Sequence, residues 1–162
     1  LAPSRVVDGK VYAMVSPIML DANDPLYSVN GVFNAIFVHG DMLGDAMFYG
    51  QGAGKLPTAT AVVGDVVEAV RHPHDGDMMG WSSEKLGLAD YKELKFRFFV
   101  RMKGSFTESL DKVEAVFGNI DAKVLAQVSG EFGFITEKMT EAQYLEKAAR
   151  FDNILGMIRV RF

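Results

Sequence analysis

The 162-residue sequence contains no cysteine, few prolines and no apolar run that approaches the roughly 20 residues of a membrane-spanning helix. Without cysteine the chain forms no disulfide, carries no thiol nucleophile and offers no cysteine ligand to a metal. Positive charge is also scarce, because 17 Lys and Arg stand against 21 Asp and Glu and give a net charge of −4. This balance argues against a nucleic-acid-binding surface, which requires clustered positive charge.

What the sequence does contain is apolar, since 49% of its residues are hydrophobic. That fraction is too high for a disordered chain. The first residues do not show the charged and then apolar pattern of a secretory signal. We therefore expect a folded, cytoplasmic protein with neither a membrane nor a nucleic-acid partner.

The composition changes near residue 90. Residues 1–90 carry five Lys and Arg against eleven Asp and Glu, whereas residues 91–162 carry twelve against ten. The stretch from His72 to Asp90 is rich in Gly, Ser, Asp and Pro and lacks periodicity, which is typical of a linker or crossing loop. The predicted parts are residues 1–75, a linker at 76–90, and residues 91–162.

The second part begins with a strand and a helix. Apolar and polar side chains alternate from 95 to 103, which predicts a half-buried strand. Ser105 and Glu108 have the spacing of a capping box, apolar residues then follow at helical spacing, and Gly118 ends the predicted helix.

The rest of the second part adds two strands, a helix and a last strand. We predict strands over 123–129 and 131–137, then a helix that Thr140 and Gln143 begin as a second capping box, and a strand over 157–162. The order strand, helix, strand, strand, helix, strand is that of a ferredoxin-like unit. The chain is thus predicted to be an α+β protein.

The first part contains a glycine-rich segment. Asp8-Gly9 predicts a tight hairpin, and apolar strands are predicted over 32–38 and 46–49. The sequence GQGAG at 50–54 then leads through Pro57 into a helix. Missing Cβ atoms let a backbone approach a ligand, and a helix N-terminus favours an anionic group, although plain helix and loop packing explains the same pattern.

Three runs of the first part are distinctive: PLYSVNGVFNA at 25–35, YGQGAG at 49–54 and PTATAVVGD at 57–65. Together they resemble the closing segment of the catalytic region of homoserine dehydrogenase. The resemblance implies an NAD(P)H-dependent reduction of L-aspartate 4-semialdehyde to L-homoserine, in threonine and methionine biosynthesis. It also implies a partial catalytic and dimerisation sheet with a helix, followed in the long bacterial form by an ACT regulatory domain.

The resemblance also assigns candidate site residues. In the family the last glycine of the loop lies against the nicotinamide cofactor, which is NADP or NAD, and that position is Gly54. Gly52 and Ala53 are its neighbours. The family's Rossmann domain, catalytic lysine and substrate-binding acids precede this region, so we expect a C-terminal fragment that is inactive alone, carries no catalytic residue and partners the missing N-terminal part.

The ACT resemblance points to a second candidate site. Gly104, Ser105 and Phe106 occupy the loop that binds an amino-acid effector in such domains, although the Asp-x-Pro-Gly pattern is absent. Two alternatives to an enzyme fragment therefore stay open. One is a non-catalytic module that senses an amino acid such as threonine, and the other is a module that forms a homo-oligomer through the apolar strands of the first part.

Two further clusters of polar residues are candidates for a function. His72, His74 and Asp75 supply too few ligands for a metal site, so a solvated loop is the favoured interpretation and no metal is predicted. The second part places Arg97, Arg101, Arg159 and Arg161 on the polar sides of strands. A solvated or helix-covered face explains them better than an anion site.

Overall fold

The structure is a computed structural model, and it describes residues 1–73, 82–123 and 128–161, without the side chains of 122 and 123. It confirms the predicted α+β class. The chain divides into two compact units, which are residues 1–21 with 86–162, and residues 22–85. The predicted division at 75 and 90 is based on composition and not on spatial contact, and it stays a prediction.

Strands outnumber helices along the described residues. In chain order they are β1 (Ser4–Val7), β2 (Lys10–Ala13), β3 (Ile18–Met19), β4 (Phe33–Gly40), β5 (Gly44–Gln51), α1 (Lys55–Arg71), β6 (Gly87–Leu88), β7 (Lys95–Lys103), α2 (Phe106–Phe117), β8 (Asp121–Lys123), β9 (Glu131–Ile135), β10 (Met139–Thr140), α3 (Glu141–Ala148) and β11 (Ile154–Val160).

The unit of residues 1–21 and 86–162 is built on a mainly antiparallel sheet. Its strand order is β3-β11-β7-β9-β8, and the short β10 also pairs with β7. From β7 onward the elements follow the order strand, helix, strand, strand, helix, strand, with β10 inserted before α3. A smaller sheet, β1-β2-β6, belongs to the same unit.

Alternate residues of β7 form the centre of this unit's core. Phe98, Val100 and Met102 have no exposed surface, and they pack with Phe132 and Phe134 of β9 and with side chains of α2 and α3. A strand has a side-chain period of two, so the apolar half of β7 lies on one face of the sheet. Burying each such large side chain stabilises the fold by about 1.5–3 kcal/mol.

The two predicted capping boxes have different outcomes. The one at α3 is confirmed, because the Thr140 hydroxyl accepts from Gln143 N–H at 3.2 Å and the Gln143 side chain accepts from Thr140 N–H at 2.9 Å. The one at α2 is wrong, because Ser105 is the N-cap residue but its side chain makes no capping hydrogen bond. The chain entering α2 is held instead by Gly104 N–H, which donates to Gly130 O at 2.8 Å.

Several element ends differ from the sequence prediction. The strand predicted over 123–129 overlaps β8, which begins two residues earlier at Asp121, and 124–127 lie outside the described residues. β9 ends at 135 instead of 137, because the Thr136 hydroxyl accepts from Phe98 N–H at 3.1 Å and donates to Glu137 O at 2.8 Å. β11 starts three residues before the predicted 157.

The four arginines of the second part are not equivalent. Arg159 lies directly opposite Phe98 and so shares its helix-covered side of the sheet, where it pairs with Glu141 of α3. Both side chains are mostly buried, with 13% and 10% exposed. Arg101 instead pairs with Glu131, and this hydrogen bond lowers the pKa of the Glu131 carboxyl despite an opposing effect of desolvation.

We expect Glu141→Gln to lower the free energy of unfolding by about 3 kcal/mol, because it leaves the Arg159 charge buried without its partner. Glu146→Gln is the matched control, since its pair with Arg150 spans 3.9 Å between exposed side chains. The control should change stability by less than about 0.5 kcal/mol. Urea denaturation of the three proteins measures the difference, and equal stabilities would contradict the importance of the buried pair.

The unit of residues 22–85 consists of a β-hairpin and a long helix. β4 and β5 pair over their full lengths around a turn at 41–43, whereas the sequence suggests a turn at 39–41. Gly44 follows this turn with φ +75°, a conformation that favours glycine. α1 extends over 17 residues, and it begins directly after Gly54.

Apolar side chains of this unit are widely exposed. On the hairpin, Ile36 and Phe48 lie opposite each other and are 67% and 68% exposed. On α1, where no residue is buried, Leu56 and Val70 are 77% and 75% exposed. So many exposed apolar side chains in one unit are unusual for a monomeric protein.

None of the helices within residues 1–73, 82–123 and 128–161 combines the length and the low polarity that crossing a membrane demands.

Candidate functional site

The glycine loop, residues 50–54, connects the end of β5 to the start of α1. Gly50 lies opposite Asn34 in the last rungs of the hairpin. One further backbone bond, from Gly52 N–H to Val32 O at 3.1 Å, continues the pairing beyond the strand. Gly54 then adopts φ +112° and ψ 151° and is the N-cap residue of α1. The loop is exposed throughout.

The three glycines of the loop differ in whether a side chain could be accommodated at their position. A Cβ on Gly50 would meet no atom within 4 Å, so this position is open. A Cβ on Gly52 would collide with the Asn34 side chain, lying 2.7 Å from its Cγ. Gly54 has room for a Cβ, whose nearest neighbour would be Pro57 Cδ at 3.5 Å, but its φ is in the region that L-residues avoid.

The start of α1 is electrostatically suited to an anionic group. Its first turn contains no acidic side chain, and Lys55 adds a positive charge. Thr58 N–H donates to Gly54 O at 3.1 Å as the first helical bond, while the amides of Lys55 and Leu56 precede any acceptor in the helix. Unsatisfied amides and the helix dipole together favour a phosphate or carboxylate at this end.

A shallow groove of about 260 Å³ runs beside the loop. It is lined by residues 34–36 and 48–52, so one wall is the hairpin and the other is the first half of the glycine loop. Phe33 and Tyr49 stack at 4.9 Å between ring centroids and stiffen the same end of the hairpin. The predicted cofactor residues Gly52, Ala53 and Gly54 thus lie together in one exposed loop, and their contact with a cofactor stays a prediction.

The second candidate site lies between β7 and α2. Gly104 has φ +122°, and its N–H is already used in the bond to Gly130 O. Next to it, Lys103 N–H donates to Asn153 O at 3.0 Å, and Asn153 Nδ2 donates to Lys103 O at 2.7 Å. The Gly104 amide is therefore engaged within the unit, and effector binding by Gly104, Ser105 and Phe106 stays a prediction.

We expect Gly104→Ala to destabilise the unit by about 1–3 kcal/mol, because alanine is strained at this φ whether or not a ligand binds. Gly156→Ala is the matched control, since Gly156 has an ordinary φ and a Cβ there would meet nothing within 4 Å. Thermal denaturation of both variants compares them. Equal melting temperatures would show that backbone conformation does not require glycine at position 104.

The histidine cluster is only partly described. His72 lies 3.8 Å from the Glu68 carboxylate one helical turn earlier, while His74 and Asp75 lie outside the described residues. Among the residues that are described, no three or more His, Cys, Asp or Glu side chains gather in a way that could hold a metal ion.

The first part of the chain is similar to known proteins. The family model described as homoserine dehydrogenase matches residues 3–67, which include β4, β5, the glycine loop and most of α1. This part of the chain is therefore similar to homoserine dehydrogenases. The homoserine dehydrogenase of Lactococcus lactis is 51% identical over 70 residues, which are 43% of this chain and 16% of that protein. The one from Corynebacterium glutamicum is 47% identical over 94 residues, 57% of this chain and 21% of that protein.

Solved homoserine dehydrogenases extend the likeness to nearly the whole chain. The enzyme from Thiobacillus denitrificans superposes with a TM-score of 0.76 at 22% identity, covering 98% of this chain and 41% of that structure. The Staphylococcus aureus enzyme at pH 6.0 gives a TM-score of 0.69 at 25% identity, covering 99% and 41%. The chain thus spans about two fifths of these homoserine dehydrogenases, and its fold occurs within them.

One residue of the loop's surroundings has no assigned role in the sequence prediction. Asn34 is part of the PLYSVNGVFNA run, but nothing in that run says which glycine it faces. The hairpin register supplies this information, because it places Asn34 opposite Gly50 and beside the position where a Gly52 side chain would lie. Knowing the turn to be at 41–43 would have been enough to derive that register from the sequence.

Proposed function

We propose that the chain is part of an NAD(P)H-dependent homoserine dehydrogenase that reduces L-aspartate 4-semialdehyde to L-homoserine in threonine and methionine biosynthesis. The observation that carries the proposal is the geometry of the glycine loop within the segment that matches the family model. An exposed loop whose last glycine has φ +112° leads directly into the N-terminus of a 17-residue helix. The chain's place in a cytoplasmic enzyme belongs to the same proposal.

The residues of the loop fit a nicotinamide nucleotide. Gly54 presents backbone without a side chain, and the first turn of α1 adds free amides and no negative charge. An anionic group of the nucleotide would accept hydrogen bonds from Lys55 and Leu56 N–H. When bound, the reduced nicotinamide supplies the hydride for the reduction, and the loop's part is to hold and orient it.

The proposal divides the work of the enzyme between this chain and the rest of the polypeptide. The family resemblance assigns the nucleotide-binding Rossmann domain, the catalytic lysine and the substrate-binding acids to the region before residue 1. The chain would then contribute one wall of the cofactor site through Gly52, Ala53 and Gly54. Residues 91–162 would follow as an ACT-like regulatory domain.

We expect the isolated 162-residue chain to be inactive, because positioning a cofactor without the proton-transferring and substrate-binding groups supplies only part of the catalysis. The assay mixes the chain with aspartate semialdehyde and NADPH, or NADH, and follows the absorbance of the reduced nicotinamide. The complete enzyme carrying this segment is the positive control. Turnover by the chain above the protein-free blank would overturn the division proposed here.

We further propose that the apolar hairpin is covered by a second copy of the chain. Ile36, Val38 and Phe48 share one face of the hairpin and are 67%, 46% and 68% exposed. Like faces meet in a two-fold symmetric dimer, which is the commonest assembly of soluble oligomers. An isolated two-stranded hairpin is also marginal in water, so a partner sheet would stabilise it.

Sedimentation of the chain at micromolar concentration tests this association, and we expect a dimer or a larger assembly. Ile36→Glu should shift it to monomer by placing a charge in the covered face. Met42→Glu is the matched control, because Met42 is 99% exposed in the turn and away from the paired strands. A monomeric wild type, or dissociation by both substitutions alike, would contradict the proposal.

A further inference from the structure

We propose that Asn34 is a positioning residue of the glycine loop and that Gly52 is a glycine because of Asn34 rather than because of a ligand. The inference rests on the proposed function, since it concerns how the loop is held for a nicotinamide cofactor. It also changes one expectation from the family resemblance, in which Gly52 is a cofactor neighbour of Gly54.

The first step is the space that Asn34 occupies. A Cβ on Gly52 would collide with Asn34 Nδ2, and it would lie 2.7 Å from Asn34 Cγ and 3.2 Å from Asn34 Cβ. Real Cβ atoms almost never approach another atom within 3.0 Å. The amide group of Asn34 therefore fills the place that a side chain at position 52 would take.

The second step is a shared hydrogen-bond acceptor. Asn34 Nδ2 donates to Val32 O at 3.4 Å, and Gly52 N–H donates to the same oxygen at 3.1 Å. One carbonyl of the chain entering β4 thus holds both the amide side chain and the loop backbone. Because Gly54 follows only two residues later, this attachment fixes where the loop leaves the hairpin and where α1 begins.

The third step is the contrast among the loop's glycines. Gly50 is open, so no atom within 4 Å forbids a side chain there, and Gly54 requires glycine through its own φ. Gly52 alone among these three would collide with a neighbouring side chain. Its small size is explained within the unit of residues 22–85, without a ligand. The cofactor contact is then left to Gly54, Ala53 and the first amides of α1.

The structural arm of the test measures hydrogen exchange of the Gly52 amide in the 162-residue chain. Gly52→Ala should speed exchange at position 52 by roughly tenfold, within the range of coupling that contacting residues show. In an Asn34→Gly background the same substitution should have no further effect, because the colliding atoms are gone. Gly50→Ala is the matched control and should leave the exchange at position 52 unchanged.

The functional arm uses the complete enzyme that carries this segment and compares KM for the nucleotide, KM for the aldehyde and kcat. Asn34→Gly should raise the nucleotide KM by about tenfold and leave the aldehyde KM nearly unchanged, since misplacing a cofactor-binding loop weakens that contact. Asn34→Asp keeps the size of the side chain but cannot donate to Val32 O, and it should raise the nucleotide KM to the same extent. Adding Gly52→Ala to Asn34→Gly should raise the nucleotide KM no further.

The outcomes separate this inference from the proposed function. If Gly52→Ala increased the exchange rate at position 52 equally with and without Asn34, the inference would be overturned, because something other than Asn34 would then require the glycine. Coupled exchange with an unchanged nucleotide KM in Asn34→Gly would also overturn it, since Asn34 would then have no positioning role. A complete wild-type enzyme that uses neither NADPH nor NADH would overturn the proposed function. The hydrogen-exchange measurement would then decide whether Asn34 is the reason for glycine at position 52.

Discussion

The hydrogen bond from Gly52 N–H to Val32 O is the constraint on which the candidate site depends. It extends the pairing of β4 and β5 past the last strand residue, so the loop leaves the hairpin in a fixed direction. Only Ala53 and Gly54 then separate Gly52 from the start of α1. A loop of this kind is positioned by its scaffold although all its residues are exposed, which is how functional loops are commonly built.

A different constraint organises the unit of residues 1–21 and 86–162. There the zero exposure of Phe98, Val100 and Met102 determines which side of β7 the helices cover. The register with β11 then places Arg159 on the same buried side, where only its pairing with Glu141 makes the burial of a charge tolerable. An apolar pattern in one strand thus dictates an ionic contact between two other elements.

The sequence predicts local structure in this protein better than it predicts hydrogen bonds between residues that are far apart in the chain. The alternation over 95–103, the Thr140 capping box and the hairpin at Asp8-Gly9 are confirmed, because each depends on residues close together in the chain. The failure at Ser105 has the opposite cause, since Gly104 is held by Gly130, a residue 26 positions away. Likewise, β9 stops early because Thr136 bonds across the sheet to Phe98.

The glycine loop shows the same limit at a functional site. GQGAG indicates a backbone that approaches a neighbouring group closely, and the proposed function names a nicotinamide as one such group. The motif alone does not show which neighbouring atoms require glycine at each position, because those neighbours depend on the register between two strands. With β4 and β5 paired through Asn34 and Gly50, the neighbour of Gly52 is a side chain of the same unit. A short glycine motif therefore combines residues required by folding with residues available to a ligand, and only the structure around each one separates them.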